Sequence, residues 1–438
     1  MRTGPHEDLV IAIRELWRLT PPCPKNLFHA PAFIHLREIC QKIYPNSGPA
    51  DALNFALNNA LQSFGMPCGL TRSNAKLALS AEAAAVGLDR AFRQLYVSRI
   101  HLCPLDCADT LPALNFGSSC IRQFSQSELD ELLDPLRLKR RSPNYTFDSQ
   151  RFSSFTWLVV TEHIQLDHSA GERAAPFLFE SINDEFGSIE PHKQSMSAAV
   201  HSSLFALLLA PWEDWAQFTS IDWRGFYVPW TYTFEDDVFA QFSLPPSADS
   251  LSWEYRVGTT HDGEESVYEH PVCLPLKNSV TSASTWINDE AWSKLSEAQQ
   301  SPIFGSVISH FLVRAFLSTG IDEFLAHITV IEAALGMRDD YSAGNRRKNR
   351  GGATGRVAAR LSALLGDKAY GTDYFRLFDT RSEFLHGRSM PAICSPDRIL
   401  VRIIARQTVV ALISAALLDP LQPRDVFLQR LLDAGLAM

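Results

Sequence analysis

The residues best suited to chemistry lie near position 380, where an arginine and a histidine are close in sequence. Arg381 and His386 belong to Phe378–Arg388, which looks like a helix end because Gly387 sits where a left-handed stop is expected. Five helical residues turn through about 140°, yet a long arginine and a frayed last turn allow both side chains to reach one groove. A guanidinium holds a phosphate through two hydrogen bonds, and an imidazole transfers protons near neutral pH. The pair therefore predicts phosphate chemistry.

The motifs around this pair resemble those of HEPN domains, small all-α modules found in many RNA-cleaving toxins and defence proteins. Arg381, Ser382 and His386 are similar to the family's Arg-x4-6-His signature, although the wider superfamily often has Asn or Asp after the arginine. Upstream, Ile331–Gly336, a basic polar loop and Arg356–Gly366 stand in the order typical of the Apea-like HEPN group. The resemblance covers roughly residues 300–420.

This resemblance implies RNA cleavage in which the ribose 2′-hydroxyl attacks the adjacent phosphate. His386 would move a proton, Arg381 would stabilise charge on the phosphate oxygens, and Ser382 would support them with a hydrogen bond. Because no carboxylate cluster of metal-ligand type accompanies the motif, we expect neither a metal ion nor another cofactor. The family usually pairs two copies of the motif across a dimer. Since we find no convincing second copy in the chain, a homodimer is favoured over an internal second site.

A basic polar loop precedes the motif by one helix. Its cationic residues are Arg346, Arg347, Lys348 and Arg350, with Gly and Asn neighbours that favour mobility. They are candidates for contacts with the RNA backbone, and a plain solvated charge run is the alternative. A local patch is needed because the chain carries a formal charge of −9, which excludes a generally basic nucleic-acid-binding protein.

The elements that must hold these residues predict an α+β multidomain protein. Its 438 residues are too many for one ordinary domain, and 46% hydrophobic with 20% charged residues is a globular composition. Residues 1–95 are predicted to be a helical N-terminal region. Residues 96–280 alternate β-branched and aromatic runs with polar turns, which predicts a mixed α/β or β-rich middle domain. Residues 281–438 are predicted to form an all-α, HEPN-like helical bundle.

Local patterns predict individual elements within these parts. In the middle domain, Ser125 and Glu128 form a capping-box pattern that predicts a helix start. The predicted strands there are Thr156–Thr161, Phe226–Tyr232 and Ser252–Val257. The predicted helices of the bundle include Pro302–Leu317, Ile321–Leu335, Asp373–His386, Ser395–Leu418 and Arg424–Ala434.

The eight cysteines and the polar N-terminal sequence favour a cytoplasmic protein with reduced thiols. His101, Cys103, Cys107 and Cys120 offer zinc ligands as an alternative, but their spacing departs from the usual pairs and favours buried thiols. The most apolar long stretch, Ile399–Leu418, contains two arginines. We therefore expect a buried helix there and no membrane anchor.

Two further sets of residues allow alternative interpretations. Aromatic residues cluster in the middle domain, where they are predicted to be core, with base or sugar stacking as the alternative: Trp212, Trp215, Trp223, Phe226, Tyr227, Trp230 and Tyr232. The acidic pairs Glu213–Asp214 and Asp236–Asp237 lack a metal-binding motif. We expect both pairs to face solvent.

The sequence thus favours a metal-independent endoribonuclease, of the toxin or antiviral abortive-infection kind, whose N-terminal domains regulate it. RNA is the expected substrate, and the phage or host trigger is not predicted. Two other classes stay open. One is a non-catalytic HEPN scaffold that binds a nucleotide or a partner, and the other is a sensor whose middle domain binds a ligand.

Overall fold

The structure is a computed structural model that describes most of the chain. The described residues are 4–166, 168–169, 172–175, 196–219, 222–241, 243–259, 265–277, 282–341, 352–385 and 392–438. Within these ranges the chain is α+β, with a sheet in the middle of the sequence and helices at both ends. The predicted fold class is confirmed at this level, and the domain boundaries stay predictions.

Four helices form the N-terminal region around one core. They are α1 (Glu7–Trp17), α2 (Pro31–Ile43), α3 (Ala50–Ser63) and α4 (Ala81–Arg93). In α1 the apolar residues recur at helical spacing, and Leu9, Ile13 and Leu16 are fully buried against the other three helices. This core also takes in Phe239 from the middle of the chain.

A disulfide joins Cys23 and Cys68 in this region, with the two Cα atoms 4.7 Å apart. The expectation that all thiols are reduced is therefore wrong for this pair. The sequence does not predict this pair, because disulfide connectivity cannot be deduced from the spacing of cysteines alone. Disulfides persist mainly in oxidising compartments, and the location of the protein stays a prediction.

The middle of the chain contributes an antiparallel five-stranded sheet in the order β2–β3–β4–β1–β7, with two small hairpins beside it. The strands are β1 (Tyr96–Leu105), β2 (Leu114–Phe116), β3 (Ser119–Gln123), β4 (Thr156–Gln165), β5 (His168–Ser169), β6 (Glu172–Arg173), β7 (Tyr232–Glu235), β8 (Trp253–Thr259) and β9 (Glu265–Pro271). The predicted strands at Thr156 and Ser252 are confirmed as β4 and β8. The strand predicted at Phe226–Tyr232 is wrong except for its last residue, because Pro229 interrupts the run and cannot donate to a ladder.

The two faces of the sheet bury different helices, because successive side chains on a strand point to opposite sides. The helices of this part are α5 (Gln126–Leu133), α6 (Pro135–Arg141), α7 (Ser149–Phe152), α8 (Ala198–Leu208) and α9 (Trp212–Trp215). On one face Cys103 and Leu158 join the core that extends through α8 into the C-terminal helices. On the other face Leu102 and Trp157 pack against α5, α6 and α7.

The capping box that opens α5 is confirmed. The Ser125 hydroxyl accepts from the Glu128 N–H at 3.2 Å, and the Glu128 carboxylate accepts from the Ser125 N–H at 2.8 Å. Both contacts satisfy N–H groups that the helix itself leaves unpaired.

The C-terminal part is all helical in its described residues. Its helices are α10 (Ala283–Trp286), α11 (Asp289–Ala298), α12 (Ser306–Leu317), α13 (Gly320–Leu335), α14 (Ala353–Leu365), α15 (Lys368–Leu385), α16 (Ser395–Leu418) and α17 (Arg424–Ala437). Most predicted bounds hold within a few residues. The exception is α15, which begins at Lys368 rather than Asp373. Gly371 lies inside it, where a Cβ would come within 2.7 Å of the Ala358 carbonyl oxygen, so close packing on α14 overrides the low helix propensity of glycine.

Among the described residues, one helix, α16, is long and apolar enough to cross a membrane, judged by its length and composition alone. Half of its most apolar window is buried inside the protein. Its two mid-helix arginines point inward, and Arg402 donates to the Leu208 carbonyl oxygen at 2.6 Å. These are the contacts of a core helix, as the sequence predicts.

The acidic pairs do not both face solvent, which corrects the sequence prediction. Glu213 is 3% exposed and accepts from Arg406 Nε at 2.5 Å. Asp237 is also buried, and its carboxylate pairs with Arg173. One member of each pair is buried beside an arginine that comes from a distant part of the chain. Two adjacent acidic residues in a sequence do not predict such a partner.

Most of the aromatic cluster is core, as predicted. Its fully or almost fully buried members are Trp212, Trp215, Trp223, Phe226 and Tyr232. The indole N–H of Trp223 donates to the buried carboxylate of Glu323 at 2.6 Å, which also accepts from Arg224 at 2.9 Å and Arg398 at 2.5 Å. These contacts tie the segment after α9 to α13 and α16.

Candidate functional site

Arg381 lies on α15, four residues before the last described residue of that helix. Its guanidinium lies 3.5 Å from a carboxylate oxygen of Glu332 on α13, measured from Nη2 to Oε2. The same guanidinium lies over the ring of Phe378, 5.2 Å from the ring centre, because residues three apart on a helix are neighbours. The Arg381 side chain is 25% exposed. It is thus held on two sides and open to solvent on part of its surface.

Glu332 gives this contact an electrostatic character of its own. Burial raises the pKa of the Glu332 carboxyl above its ordinary value, and the nearby charge of Arg381 partly offsets this rise. The ionised carboxylate therefore depends on its arginine partner. Without Arg381, the pKa of the half-buried Glu332 carboxyl would rise further and its charged form would be less populated.

The end of α13 that carries Glu332 is fixed by two arginines from other helices. Arg360 of α14 donates to the Leu335 carbonyl oxygen at 2.9 Å. Arg424 of α17 donates to the carbonyl oxygens of Ala333 and Ala334 at 2.6 and 2.8 Å. These carbonyls belong to the last turn, where a helix leaves acceptors unpaired and favours positive charge. The backbone below Glu332 is therefore held in place.

Arg356 and Arg360, which belong to the segment that resembles the Apea-like group, are structural in this chain. Both are nearly fully buried and both pair with Asp340, Arg360 through two contacts and Arg356 at 3.3 Å. They hold the short turn after α13 against α14, and neither is exposed to a substrate.

The remaining predicted site residues divide into one that is described and five that are not. Ser382 follows Arg381 on α15 and is half-buried. His386 of the motif lies outside the described residues. So do the cationic residues of the basic loop, namely Arg346, Arg347, Lys348 and Arg350. The structure therefore places Arg381 beside Glu332 and Ser382 next to Arg381 on α15, and the contacts of the other five stay predictions.

The opposite side of α15 bears a groove of about 720 Å³ between α14, α15 and α17. Arg376, Asp379 and Glu383 line it, and they lie across the helix from Arg381 at about 100° per residue. Arg376 forms an exposed ion pair with Asp397 at 2.7 Å. This groove is separate from the Arg381 contact and contains none of the predicted site residues.

The zinc alternative gains no support from the geometry. His101 uses both ring nitrogens, one at 2.7 Å from the Thr233 hydroxyl and the other at 2.6 Å from the Glu162 carboxylate. Burial lowers the pKa of His101, and Glu162 offsets part of the effect. Cys103 is fully buried and contacts Thr231. In the part of the chain that the structure describes, no group of three or more potential ligands is placed to hold a metal ion.

Sequence reasoning missed Glu332 as a partner of the motif. The residue stands in Ile331–Gly336, one of the segments that carry the resemblance, but nothing in that segment marks its carboxylate as a partner of Arg381. Its role depends on how α13 packs against α15, and no spacing rule reports that. Comparison of the chain with protein-family models, curated proteins and solved structures finds no match.

Proposed function

We propose that the chain is an endoribonuclease that cleaves RNA without a metal ion, with Arg381 at the centre of its site. The observation that supports this most is the Arg381 guanidinium, partly exposed yet held by Glu332 and Phe378. A guanidinium that is already held in place loses little further freedom when it binds a phosphate through two hydrogen bonds. The resemblance to HEPN domains supplies the reaction.

In the proposed reaction the 2′-oxygen of one ribose forms a bond to the adjacent phosphorus, and the bond from phosphorus to the 5′-oxygen breaks. His386 takes the 2′-hydroxyl proton or delivers a proton to the leaving 5′-oxygen. Arg381 stabilises the charge that builds on the non-bridging phosphate oxygens, and Ser382 supports the motif with a hydrogen bond. The products end in a 2′,3′-cyclic phosphate and begin with a 5′-hydroxyl.

Glu332 has a positioning role in this proposal. Its 3.5 Å separation from Arg381 is longer than a hydrogen-bonded ion pair, and both side chains are partly exposed. Such a pair contributes only about 0–1 kcal/mol. A substrate phosphate therefore competes well for the guanidinium, and the carboxylate keeps the arginine oriented until the phosphate arrives.

The proposed biological role is that of a toxin or abortive-infection effector that acts as a homodimer. The resemblance implies a site composed of two motifs, one from each subunit. Light scattering at micromolar concentration gives a dimer mass if this is correct, and a strict monomer contradicts it. The core that extends from the sheet through α8 into the C-terminal helices supports regulation of the bundle by the rest of the chain.

The test is end-group analysis of products from RNA and from DNA of the same sequence, with and without EDTA. We expect cleavage of RNA alone, undiminished by the chelator, with 2′,3′-cyclic phosphate ends. His386→Ala abolishes turnover and leaves RNA binding nearly intact, because a neutral imidazole contributes little to phosphate affinity. Cleavage that vanishes in EDTA, or that persists in the His386 variant, contradicts the mechanism.

Growth after expression separates the enzyme from a non-catalytic scaffold. A ribonuclease toxin slows growth, and its Arg381→Ala and His386→Ala forms do not. A wild-type chain that leaves growth unchanged while binding nucleotide tightly identifies the scaffold instead.

A further inference from the structure

A cavity of about 280 Å³ lies where the sheet meets the C-terminal helices. Its walls come from four places: β2, α8, the corner between α10 and α11, and α16. The apolar lining comprises Phe116, Ala206, Leu209, Trp286, Trp292 and Ile413. The cavity is remote in the chain from the motif around Arg381 and shares no residue with it.

The corner that forms one wall is held in a fixed position. The Gly117 N–H, in the turn between β2 and β3, donates to the Asp289 carboxylate at 2.8 Å. The Trp292 ring lies directly on this glycine, where a Cβ would come within 2.4 Å of the indole. Gly117 has φ +57°, a left-handed conformation that favours glycine for a second reason. The Trp292 wall is thus formed before any ligand arrives, which reduces the entropic cost of binding.

Polar side chains around the cavity already have hydrogen-bond or ion-pair partners within the protein. Asn288 accepts from the Ala291 N–H at 2.8 Å and donates to the Ser284 carbonyl oxygen at 2.6 Å. The Thr285 hydroxyl donates to a backbone carbonyl at 2.7 Å. Lys294 pairs with Glu290 at 2.6 Å, and both side chains are more than half exposed. A charged or strongly polar ligand would find few unengaged groups here and would lose its hydration without compensation.

The size and the lining restrict the ligand further. The volume lies just below the range of about 300–1,000 Å³ that is typical of sites for drug-sized molecules. One side of the cavity is formed by the rings of Phe116 and Trp292, whose centres are 5.8 Å apart. Trp286 also belongs to the lining and is 38% exposed. Aromatic walls favour offset or edge-to-face packing with another ring.

We propose that this cavity is a binding site for a small, uncharged aromatic molecule of one or two fused rings. This activity is additional to RNA cleavage and does not depend on it. The ligand contacts β2, α8, α11 and α16 together, so its binding stabilises the junction between the sheet and the C-terminal helices.

The test uses 5-fluoroindole as the probe and ¹⁹F NMR of the full-length protein as the readout. We expect saturable binding of one equivalent. Ala206→Phe and Ile413→Trp fill the cavity from two different helices, and each weakens binding by at least tenfold while the melting temperature stays near that of the wild type. Lys294→Met is the matched control on the rim and leaves the affinity within about twofold, because the ligand carries no charge for the ammonium to bind.

Crystals soaked in 5-bromoindole provide a second test that uses only the wild-type chain, should either filling variant fail to fold. An anomalous bromine peak between Trp292 and Ile413 supports the proposal. The absence of saturable binding, a bromine peak elsewhere only, or unchanged affinity in folded filling variants overturns it.

Discussion

Glu332 makes the electrostatic surroundings of Arg381 depend on pH. The pKa of Glu332 is raised by burial, with Arg381 opposing the rise. The folded state therefore takes up a proton at a higher pH than an exposed glutamate does. As the pH falls through this raised pKa, the carboxylate becomes neutral and stops competing for the guanidinium, whereas above it the ion pair persists.

The first prediction concerns this competition. RNA binding by the wild type tightens as the pH falls through the raised pKa of Glu332, and Glu332→Gln lacks this step while retaining any pH dependence that His386 contributes. At neutral pH we expect Glu332→Gln to bind RNA about two- to fivefold more tightly than the wild type, which corresponds to the free energy of a partly exposed ion pair. Filter binding of RNA at a series of pH values measures it.

Glu383→Gln is the control for this prediction. Glu383 is exposed and lies on α15, the helix that carries Arg381, where it lines the groove on the side of α15 opposite Arg381. Its replacement removes the same charge from the protein without touching Arg381. If both variants change the pH profile equally, general electrostatics explain the effect and Glu332 has no special role.

At the level of elements, a buried charge cluster joins α13 and α16 to the segment after α9. Glu323 is fully buried and accepts from Trp223, Arg224 and Arg398. Removing it takes one acceptor away from two guanidinium groups and an indole N–H, of which Arg224 retains a hydrogen bond to the Ser318 carbonyl oxygen at 3.0 Å. A buried polar group that loses its partner pays its full desolvation penalty.

The second prediction is that Glu323→Ala lowers the free energy of unfolding by about 3–5 kcal/mol, the usual cost of removing one partner from a buried ion pair. Urea denaturation followed by tryptophan fluorescence measures this loss. Glu290→Ala, at the exposed pair with Lys294, is the control and leaves the urea midpoint almost unchanged. A loss at Glu323 no larger than that of the control would show that the cluster does not hold the elements together.

The third prediction concerns the disulfide of the N-terminal region. Cys23 and Cys68 are 45 residues apart in sequence, and closing a loop of this length stabilises the folded state by about 4 kcal/mol in the chain-entropy treatment. The double variant Cys23→Ser/Cys68→Ser should unfold at lower urea concentration, and dithiothreitol should shift the wild type towards it. Cys394→Ser, at an exposed free cysteine, should retain the response to the reductant. A wild type that does not respond to reduction contradicts the pairing.

Local signals in the sequence predict elements better than they predict contacts. The capping box at Ser125 and the bounds of α13 follow from residues close together in the chain, and both are confirmed. The start of α15 is missed because Gly371 lowers local helix propensity, and only its packing on α14 explains the longer helix. The contact between Glu332 and Arg381 depends on how two helices meet, which neither helix encodes alone.

At the scale of the whole molecule, a net charge of −9 opposes non-specific attraction to RNA. Binding must then rely on local cations, and the basic loop before α14 is the densest group of them in the C-terminal part. Each phosphate contact made by such a cation releases a counterion and adds to the salt dependence of binding.

The fourth prediction is that replacing Arg346, Arg347, Lys348 and Arg350 together by Gln weakens RNA binding and flattens its dependence on salt. The slope of log affinity against log salt falls by up to about 0.7 for each lost contact with single-stranded RNA. The melting temperature stays near that of the wild type, because polar loop residues contribute little to the core. An unchanged salt slope assigns the loop to solvated surface.

The most direct test of the account compares two arginines on one helix. Arg381 and Arg376 both lie on α15 and both pair with a carboxylate, Glu332 and Asp397 respectively, but they face opposite sides. Single-turnover cleavage of RNA in EDTA is measured for the wild type, Arg381→Ala, Arg381→Lys and Arg376→Ala. We expect Arg381→Ala to lose about 100- to 1,000-fold in rate, as enzymes do when a donor to a developing oxyanion is removed. Arg381→Lys recovers part of the rate, since an ammonium lacks the two-pronged geometry, and Arg376→Ala cleaves like the wild type. Equal rates for the two alanine variants, or undiminished cleavage by Arg381→Ala, would contradict the assignment of the site.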